Sequence, residues 1–563
     1  MNKLEHACQT TIHYDLVKFL FNKEHDIYSL LKCSTKLNNA IAPKIIPCVE
    51  WNLSILIGYD IYDGWKRKKL SRYHRLVTRI FIDISYINYI NFKQLFPNLK
   101  HIRFHSYFSG SVTKIPFSHN LTHVVIDDRF DRPLTTDIIP QTITHLSIGK
   151  DYNHIIEKNV LPPTLKCLIF HGLFNQPIIS QGVLPINLTC LTLSDSFNQI
   201  VLPGLPDGLV ELNFGFHFNH SLNGIGILPR NLIILRFGDS FNQPIEPDDL
   251  PPTLEILVFG GRFNQPLPVG IFPISLKDLS FGTAFNQPLT VGIFPQNMTY
   301  LSFGDCFNQP LKDGIFPRKL KQLIFGYCFN QPLLVGVLPN ELTHLAFGHA
   351  FNQTIYSGLI PSTLLYLIFG NSFDQPILPG VLPVGLKYLT FGNNFSYSLI
   401  RGTLPSTLDD LMISYNFQMK FPTIPDGVKN LVIRCAVDFK ETLKSKKSKK
   451  SKKSKKSKKS KKSKKSKKSK KTKKYDQILP EQLPKKLEKV VFLNSQIHTL
   501  PIDTFESLIS CIYQPSHYMY SQYNALNIPR QTNTFIVHNI IGCDMFHNAK
   551  KVDEYPHFIR LTL

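Results

Sequence analysis

Two pairs of cysteines are spaced so that they could perform thiol or metal chemistry. Cys167 and Cys190 lie 23 residues apart, Cys306 and Cys328 lie 22 residues apart, and the chain contains no CxxC motif. Two thiols are too few ligands for a structural zinc site. The low density of cysteine predicts a reducing compartment, in which structural disulfides are rare. We therefore predict neither a metal centre nor a redox pair.

Motifs of known catalytic chemistry are missing from the sequence. It has no phosphate-binding GxxxxGK[ST], no dinucleotide glycine fingerprint, no HExxH and no Cys/His set with zinc spacing. Histidines such as His101, His123 and His344 fall beside predicted strands, where they are interpreted as surface or packing residues. The sequence thus predicts a protein that is not an enzyme and that needs no cofactor and no metal.

The positive charge of the chain is concentrated in one segment. The 563 residues include 64 Lys and Arg against 40 Asp and Glu, but residues 444–474 alone contribute 21 lysines and no acid. A Lys/Ser tract without apolar residues is predicted to be a disordered insertion. It could bind nucleic acid or another anionic surface through counterion release.

No apolar run approaches the roughly 20 residues of a membrane span, so we expect an intracellular protein, cytoplasmic or nuclear, without a membrane partner.

A repeat of 22 residues organises most of the chain. The tetrapeptide Phe-Asn-Gln-Pro begins at six positions, Phe174, Phe241, Phe263, Phe285, Phe307 and Phe329, and close variants begin at Phe197, Phe218, Phe351 and Phe373. One strand per repeat of this length is typical of leucine-rich repeats, which stack into a continuous core. The predicted fold is therefore a β-rich solenoid of the leucine-rich-repeat type with a parallel sheet and a small helical N-terminal region.

Each repeat contains a short alternating strand and two glycine positions. Leu279 and Phe281 alternate with Asp278 and Ser280, which predicts a strand with one buried face. A glycine such as Gly282 follows the strand and is predicted to allow a turn with positive φ. A second glycine, such as Gly292, marks a corner before the next strand.

The repeat resembles the FNIP-repeat family, which is named for its Phe-Asn-x-Pro core. The resemblance covers roughly residues 104–411 and implies a leucine-rich-repeat-like solenoid without a defined activity. The recurrent asparagine, as at Asn264, is predicted to hydrogen-bond the turn backbone of its own repeat and the next. Asp374 and Ser396 replace it in later repeats, where the asparagine ladder is expected to weaken.

Four regions are predicted from these patterns. They are helical residues 1–60, a solenoid over 76–433, the disordered insertion 444–474, and residues 475–563, which continue the solenoid and form a C-terminal cap. The order of apolar residues in the first region resembles the later part of an F-box, which implies binding to an adaptor of cullin-type ubiquitin ligases. The candidate adaptor contacts are Leu16, Ile27, Leu30 and Leu31. A helical cap on the first repeat is the alternative.

The outward face of the sheet is the predicted binding surface. Residues that flank the strand leucine vary between repeats while their neighbours do not, and they include aromatic side chains, as binding patches often do. Strand propensity alone is the alternative explanation for these aromatics. The candidate partner-binding residues are Arg236, Asp278, Tyr300, Gln322, His344, Tyr366 and Tyr388. The leading hypothesis is a protein-interaction scaffold that binds a polypeptide on the outward face of the sheet and could act as substrate receptor of a ubiquitin ligase. The alternative is a protein that binds nucleic acid or an anionic surface through the lysine tract.

Overall fold

The structure of the protein is a computed structural model. It describes residues 50–52, 75–82, 92–104, 120–136, 138–178, 182–201, 203–222, 227–415, 423–435, 438–439, 484, 487, 489–493, 496–497, 510–514 and 534–537. The chain divides into two compact units, Met1–Gln309 and Pro310–Leu563. Within each unit, parallel strands succeed one another about every 22 residues, which confirms the predicted solenoid. The candidate adaptor-binding residues and the 444–474 tract lie outside the described residues.

In the first unit, every strand described pairs in parallel with the next strand along the chain. A short helix, α1 (Phe92–Leu95), precedes the third strand, and the returns between the later strands are turns and irregular segments. The strands are β1 (Glu50–Asn52), β2 (Arg79–Ile82), β3 (His101–Phe104), β4 (His123–Ile126), β5 (His145–Ile148), β6 (Cys167–Phe170), β7 (Cys190–Thr192), β8 (Glu211–Asn213), β9 (Ile234–Arg236), β10 (Ile256–Val258), β11 (Asp278–Ser280) and β12 (Tyr300–Ser302).

The second unit continues the same pattern of in-register parallel strands. Its strands are β13 (Gln322–Ile324), β14 (His344–Ala346), β15 (Tyr366–Ile368), β16 (Tyr388–Thr390), β17 (Asp410–Tyr415), β18 (Asn430–Cys435), β19 (Asp438–Phe439), β20 (Lys489–Leu493), β21 (Gln496–Ile497), β22 (Ser510–Gln514) and β23 (Thr534–Val537). The short strands β19 and β21 pair with each other in a separate two-stranded sheet.

Strand β18, which precedes β19 and the lysine tract in the sequence, is the direct neighbour of strand β20, which follows the tract. Asn430 in β18 is opposite Lys489 in β20, and Ile433 is opposite Phe492. The sequence repeat ends near Thr504, yet β20 pairs with β22 and β22 pairs with β23, both in parallel. Backbone pairing therefore continues beyond the point at which the sequence repeat can be recognised, because hydrogen bonding between parallel strands does not depend on the side chains.

The core consists of apolar columns that run from repeat to repeat. Leu279, at the centre of its strand, and Phe285 are both fully buried. Phe281 and Phe285 stack within one repeat with ring centroids 3.9 Å apart. Phe285 also stacks on Phe307 of the next repeat at 6.1 Å. A single repeat cannot bury these rings, so the stability of each unit depends on contacts between neighbouring repeats.

Two turns bring the chain into and out of each strand. Ahead of β11, the backbone N–H of Leu276 donates to the carbonyl of Pro273 at 3.0 Å, which closes a four-residue turn and accounts for the Pro-x-x-Leu spacing. After β11, the N–H of Phe285 donates to the carbonyl of Gly282 at 3.3 Å. The buried strand leucine is thus flanked by two turns whose positions are fixed by backbone hydrogen bonds.

The predicted role of the first glycine position is wrong. The glycines with positive φ include the second position, as at Gly292 (φ 87°) and Gly380 (φ 80°), but not Gly260 or Gly282. A Cβ added at Gly260 would lie well inside 3.0 Å of the carbonyl oxygen of Gly238 in the preceding repeat. Glycine is needed at the first position because the backbones of successive turns approach too closely for a side chain.

The asparagine ladder links the turns of successive repeats. The Oδ1 of Asn264 accepts hydrogen bonds from the backbone N–H of Asn286 (2.9 Å) and from the Nε2 of Gln287 (3.0 Å). Asn242 accepts the equivalent pair from the repeat that contains Asn264. These bonds confirm the predicted contact with the next repeat, and they explain why both residues of the Asn-Gln pair recur.

The expected weakening of this ladder at Asp374 is wrong for that position. The N–H of Asp374 donates to the Oδ1 of Asn352 at 2.9 Å. In turn, its carboxylate accepts from the N–H and the hydroxyl of Ser396, at 2.8 and 2.7 Å. An acceptor oxygen is what the ladder requires, and aspartate supplies one as well as asparagine does.

Candidate functional site

The first and third residues of the core strands face away from the buried leucine and form the outward face of each sheet. In β9 to β16 both residues are half-buried, whereas the central residue is buried. Because the strands pair in register, residues at the same position lie directly beside one another in neighbouring repeats. Each unit therefore presents two parallel columns of variable side chains to the solvent.

In the second unit, four of the predicted partner-binding residues form one continuous column. Gln322 is opposite His344, His344 is opposite Tyr366, and Tyr366 is opposite Tyr388. The rings of His344 and Tyr366 stack with centroids 4.2 Å apart and planes 6° apart. Tyr366 and Tyr388 follow at 5.8 Å in a tilted arrangement. The structure thus brings together Gln322, His344, Tyr366 and Tyr388, which we call the aromatic column.

The aromatic column is uncharged at neutral pH. Burial lowers the pKa of His344 below its usual 6.5, and Thr343 Oγ1 is 2.9 Å from its Nδ1. The parallel column on the same strands consists of Ile324, Ala346, Ile368 and Thr390. The eight side chains of these two columns therefore combine aromatic, aliphatic and uncharged polar groups, and none of them carries a charge.

In the first unit, Arg236 is occupied by contacts within the sheet. Its guanidinium forms an ion pair with Glu211 on the neighbouring strand β8, and its Nη1 donates to the Oδ1 of Asn213 at 3.0 Å. The Nδ2 of Asn213 also donates to Thr192 at 3.0 Å. These charge-assisted bonds hold the guanidinium against the sheet. The charge of Arg236 is therefore balanced locally by the carboxylate of Glu211.

Asp278 and Tyr300 are direct neighbours in the first unit. Burial raises the pKa of Tyr300 above its usual 10, although hydrogen bonds to Ser302 and Ser280 favour the ionised phenol. The hydroxyl of Thr299 lies 3.4 Å from a carboxylate oxygen of Asp278. This pair therefore presents a phenol and a carboxylate that already have hydrogen-bonding neighbours, unlike the stacked rings of the aromatic column.

A column of three histidines, which we call the histidine column, lies on the outward face of β3, β4 and β5. The ring centroids of His101 and His123 are 4.1 Å apart, and those of His123 and His145 are 4.0 Å apart. Desolvation and the neighbouring His123 lower the pKa of His101 to about 4, and burial lowers the pKa of His123 to about 4. From sequence, His101 and His123 were interpreted only as separate surface or packing residues, and His145 was not identified. The 22-residue spacing of the three histidines is the signal that joins them.

The next two strands place a pair of thiols on the same face. Cys167 in β6 and Cys190 in β7 are in register and half-buried.

No group of three or more His, Cys, Asp or Glu side chains among the described residues has a geometry that could hold a metal ion. Within the same part of the chain, no helix is long and apolar enough to cross a bilayer.

The fold and its two-column face define a parallel β-solenoid of the leucine-rich-repeat class. The FNIP Repeat family matches seven consecutive segments, 113–151, 152–196, 197–240, 241–284, 285–328, 329–372 and 373–416. These segments cover more than half of the chain, and the chain belongs to the FNIP repeat family. Each segment spans two of the 22-residue repeats seen in the structure.

Two solved structures are similar to the chain. The first is "The crystal structure of CroV588 a novel circular LRR protein structure", with 28% identity and a TM-score of 0.59, covering 78% of this chain and 69% of that one. The second is "Functional domain of InlJ from Listeria monocytogenes includes a cysteine ladder", with 13% identity, a TM-score of 0.29, and coverage of 66% and 71%. No curated protein matches the chain. The first similarity agrees with the leucine-rich-repeat class of the fold.

Proposed function

We propose that the protein is a non-enzymatic interaction scaffold that binds a short, extended, largely apolar polypeptide on the aromatic column. The observation that supports this most directly is the run of half-buried rings at His344, Tyr366 and Tyr388 beside Ile324 and Ile368. Tyrosine offers a large contact area and a hydroxyl at a low cost in side-chain entropy, which is why it is enriched in binding hot spots.

The spacing of the column indicates the size of the segment bound. Adjacent strands lie about 4.8 Å apart, so the rings from His344 to Tyr388 span roughly 10 Å. An extended chain advances about 3.3 Å per residue. These three rings therefore match three or four residues of an extended peptide that lies along the solenoid and crosses the strands.

The absence of charged side chains from the two outward columns of β13 to β16 indicates the chemistry of the partner. A surface that binds nucleic acid neutralises phosphates with lysine or arginine side chains. In the described strands β13 to β16, the two outward columns contain neither residue. An apolar or aromatic peptide is the better match, because its side chains can cover the rings without leaving a charge unpaired.

The experiment is a selection from a random peptide display library on the full-length protein. We expect peptides rich in aromatic and aliphatic residues, whose affinity falls at least thirtyfold in the double variant Tyr366→Ala/Tyr388→Ala, equivalent to about 2 kcal/mol. The matched control is Tyr356→Ala, because Tyr356 is an exposed tyrosine outside the strands. Equal binding to the double variant, or failure to enrich any peptide, would reject the proposal.

Two further hypotheses concern residues outside the described part of the chain. A role as substrate receptor of a ubiquitin ligase would require Leu16, Ile27, Leu30 and Leu31 to contact an adaptor. It predicts that Leu30→Ser/Leu31→Ser abolishes capture of that adaptor without changing the melting temperature. Binding of nucleic acid through residues 444–474 predicts a salt-dependent affinity that deletion of residues 445–471 removes.

A further inference from the structure

Cys167 and Cys190 lie directly beside each other on neighbouring strands, at a Cα separation that a disulfide can span. They are the first residues of β6 and β7, and their Cα atoms are register partners across the parallel pair. Neighbouring strands are about 4.8 Å apart, which falls within the Cα separation of about 4.4 to 6.8 Å that disulfides span. Both side chains are half-buried on the outward face, so a small oxidant can reach them.

The two thiols differ in acidity because their neighbours in the sheet differ. Cys190 is the register partner of Glu211, whose carboxylate disfavours a second negative charge, whereas Cys167 is one strand farther from Glu211 and has His145 on its other side. A hydrogen bond with Cys190 lowers the pKa of Cys167, although burial and the nearby Glu211 act in the opposite direction. The same hydrogen bond, together with burial, raises the pKa of Cys190. A thiolate that accepts a hydrogen bond from a neighbouring thiol is suited to attack, and the neighbouring thiol is suited to resolve the product.

We propose that Cys167 and Cys190 form a peroxide-sensitive dithiol, in which Cys167 is the attacking thiol and Cys190 is the resolving thiol. The Cys167 thiolate attacks a hydroperoxide, so that an S–O bond forms, the O–O bond breaks and, after protonation, water leaves. The Cys190 sulfur then displaces the hydroxyl of the sulfenic acid, which forms the S–S bond and releases a second water. With hydrogen peroxide, two thiols are oxidised and one peroxide is reduced to two waters.

The location of the pair allows oxidation without disruption of the core. The next residue of each strand, Leu168 or Leu191, is fully buried, whereas the thiols lie on the opposite face. A bond between them would join two neighbouring repeats that are already in register. Disulfides in a reducing compartment are commonly transient and redox-sensing. The sequence already placed these two cysteines at the same position of neighbouring repeats, and a redox pair was not predicted because the compartment was expected to be reducing. A reducing compartment argues against a permanent disulfide and not against a transient one.

The chain offers a direct assay of this bond. Trypsin cleavage after Lys166 and Arg230 releases residues 167–230 as one peptide, because no lysine or arginine lies between them, and Cys167 and Cys190 are its only cysteines. The reduced full-length protein is treated with increasing hydrogen peroxide, alkylated and digested. We expect this peptide to lose two hydrogen atoms and both alkylation sites at a peroxide dose about tenfold lower than the dose that oxidises the exposed Cys306.

Two matched variants test the assigned roles. In Cys190→Ser, the Cys167 sulfenic acid has no thiol to react with, so dimedone should label the 167–230 peptide. In Cys167→Ser, we expect at least tenfold less labelling, because Cys190 lacks its acidic partner. Unchanged melting temperatures of both variants confirm that they fold. Two alkylated thiols persisting after Cys306 has been oxidised would overturn the proposal, and equal labelling of the variants would overturn the assigned roles.

Discussion

Gly260 lies against the carbonyl of Gly238 in the preceding repeat so closely that no Cβ could be placed there without displacing the backbone. The same relationship holds between Gly282 and Gly260 and between Gly304 and Gly282. Successive turns are thus in direct backbone contact, and glycine at this position determines how tightly the repeats stack.

Gly260→Ala is expected to destabilise the protein by at least about 3 kcal/mol, because the neighbouring backbone must move to admit a methyl group. Gly292→Ala is the matched control. Gly292 has positive φ but no atom within 4 Å of the added Cβ. Gly292→Ala should therefore lower the free energy of unfolding only by the backbone strain of about 1 kcal/mol. Urea denaturation followed by circular dichroism measures both, and an equal effect of the two variants would contradict the close-contact explanation.

Truncation of a core side chain should strongly reduce the stability of the protein. Phe285→Ala and Leu279→Ala each empty a fully buried position, for which a loss of about 2 to 5 kcal/mol is usual. Ser280→Ala, on the outward face of the same strand, removes a hydroxyl that hydrogen-bonds Tyr300 and should reduce the free energy of unfolding by only about 1 kcal/mol. Thermal melting of the three variants tests the register, which would be incorrect if Ser280→Ala were the most damaging.

The asparagine ladder should tolerate aspartate but not alanine. Asn264→Ala removes the acceptor of the Asn286 N–H and leaves the Gln287 amide only the backbone carbonyl of Asn264, which should cost about 1 to 3 kcal/mol. Asn264→Asp keeps an acceptor oxygen, as Asp374 does naturally for Ser396, and should lose less than half as much. Denaturation midpoints compare the two, and equal losses would show that the amide nitrogen also matters.

The histidine column should make stability depend on pH between about 4 and 6.5. His123 has a pKa of about 4 in the folded protein instead of the usual 6.5, so the unfolded chain binds more protons in this window. Linkage then requires stability to decrease as the pH falls from 6.5 to 4 and to be insensitive to this group above 6.5. Besides the other histidines, Arg79 and Lys100 act on the column as nearby positive charges.

The expected contribution is on the order of 1 kcal/mol per histidine, because the partial solvent exposure of the rings reduces the effect of the full shift. We expect His123→Gln to lose less stability than the unchanged protein between pH 7 and pH 4.5. Urea denaturation at the two pH values measures this, and a parallel decrease in both proteins would assign the acid sensitivity to other groups.

The repeat itself made the fold predictable. The period of 22 residues and the alternation at Leu279 and Phe281 depend only on the local sequence, because a strand with one buried face must alternate and a repeat must stack to bury that face. The outward columns follow from the same alternation. Sequence therefore identified the residues of the aromatic column from Gln322 to Tyr388. It could not say which outward side chains already contact a side chain of the neighbouring repeat.

Tertiary structure decided the interactions between repeats, because these join residues about 22 positions apart and depend on register and backbone distance. It showed that Gly260 is required for close approach and that Asp374 continues the asparagine ladder. It also paired Arg236 with Glu211. For Cys167 and Cys190, which the sequence placed at the same position of neighbouring repeats, it established that the two are register partners. A period specifies which positions recur, whereas the chemistry of a solenoid surface arises from the side chains that stacking brings into contact.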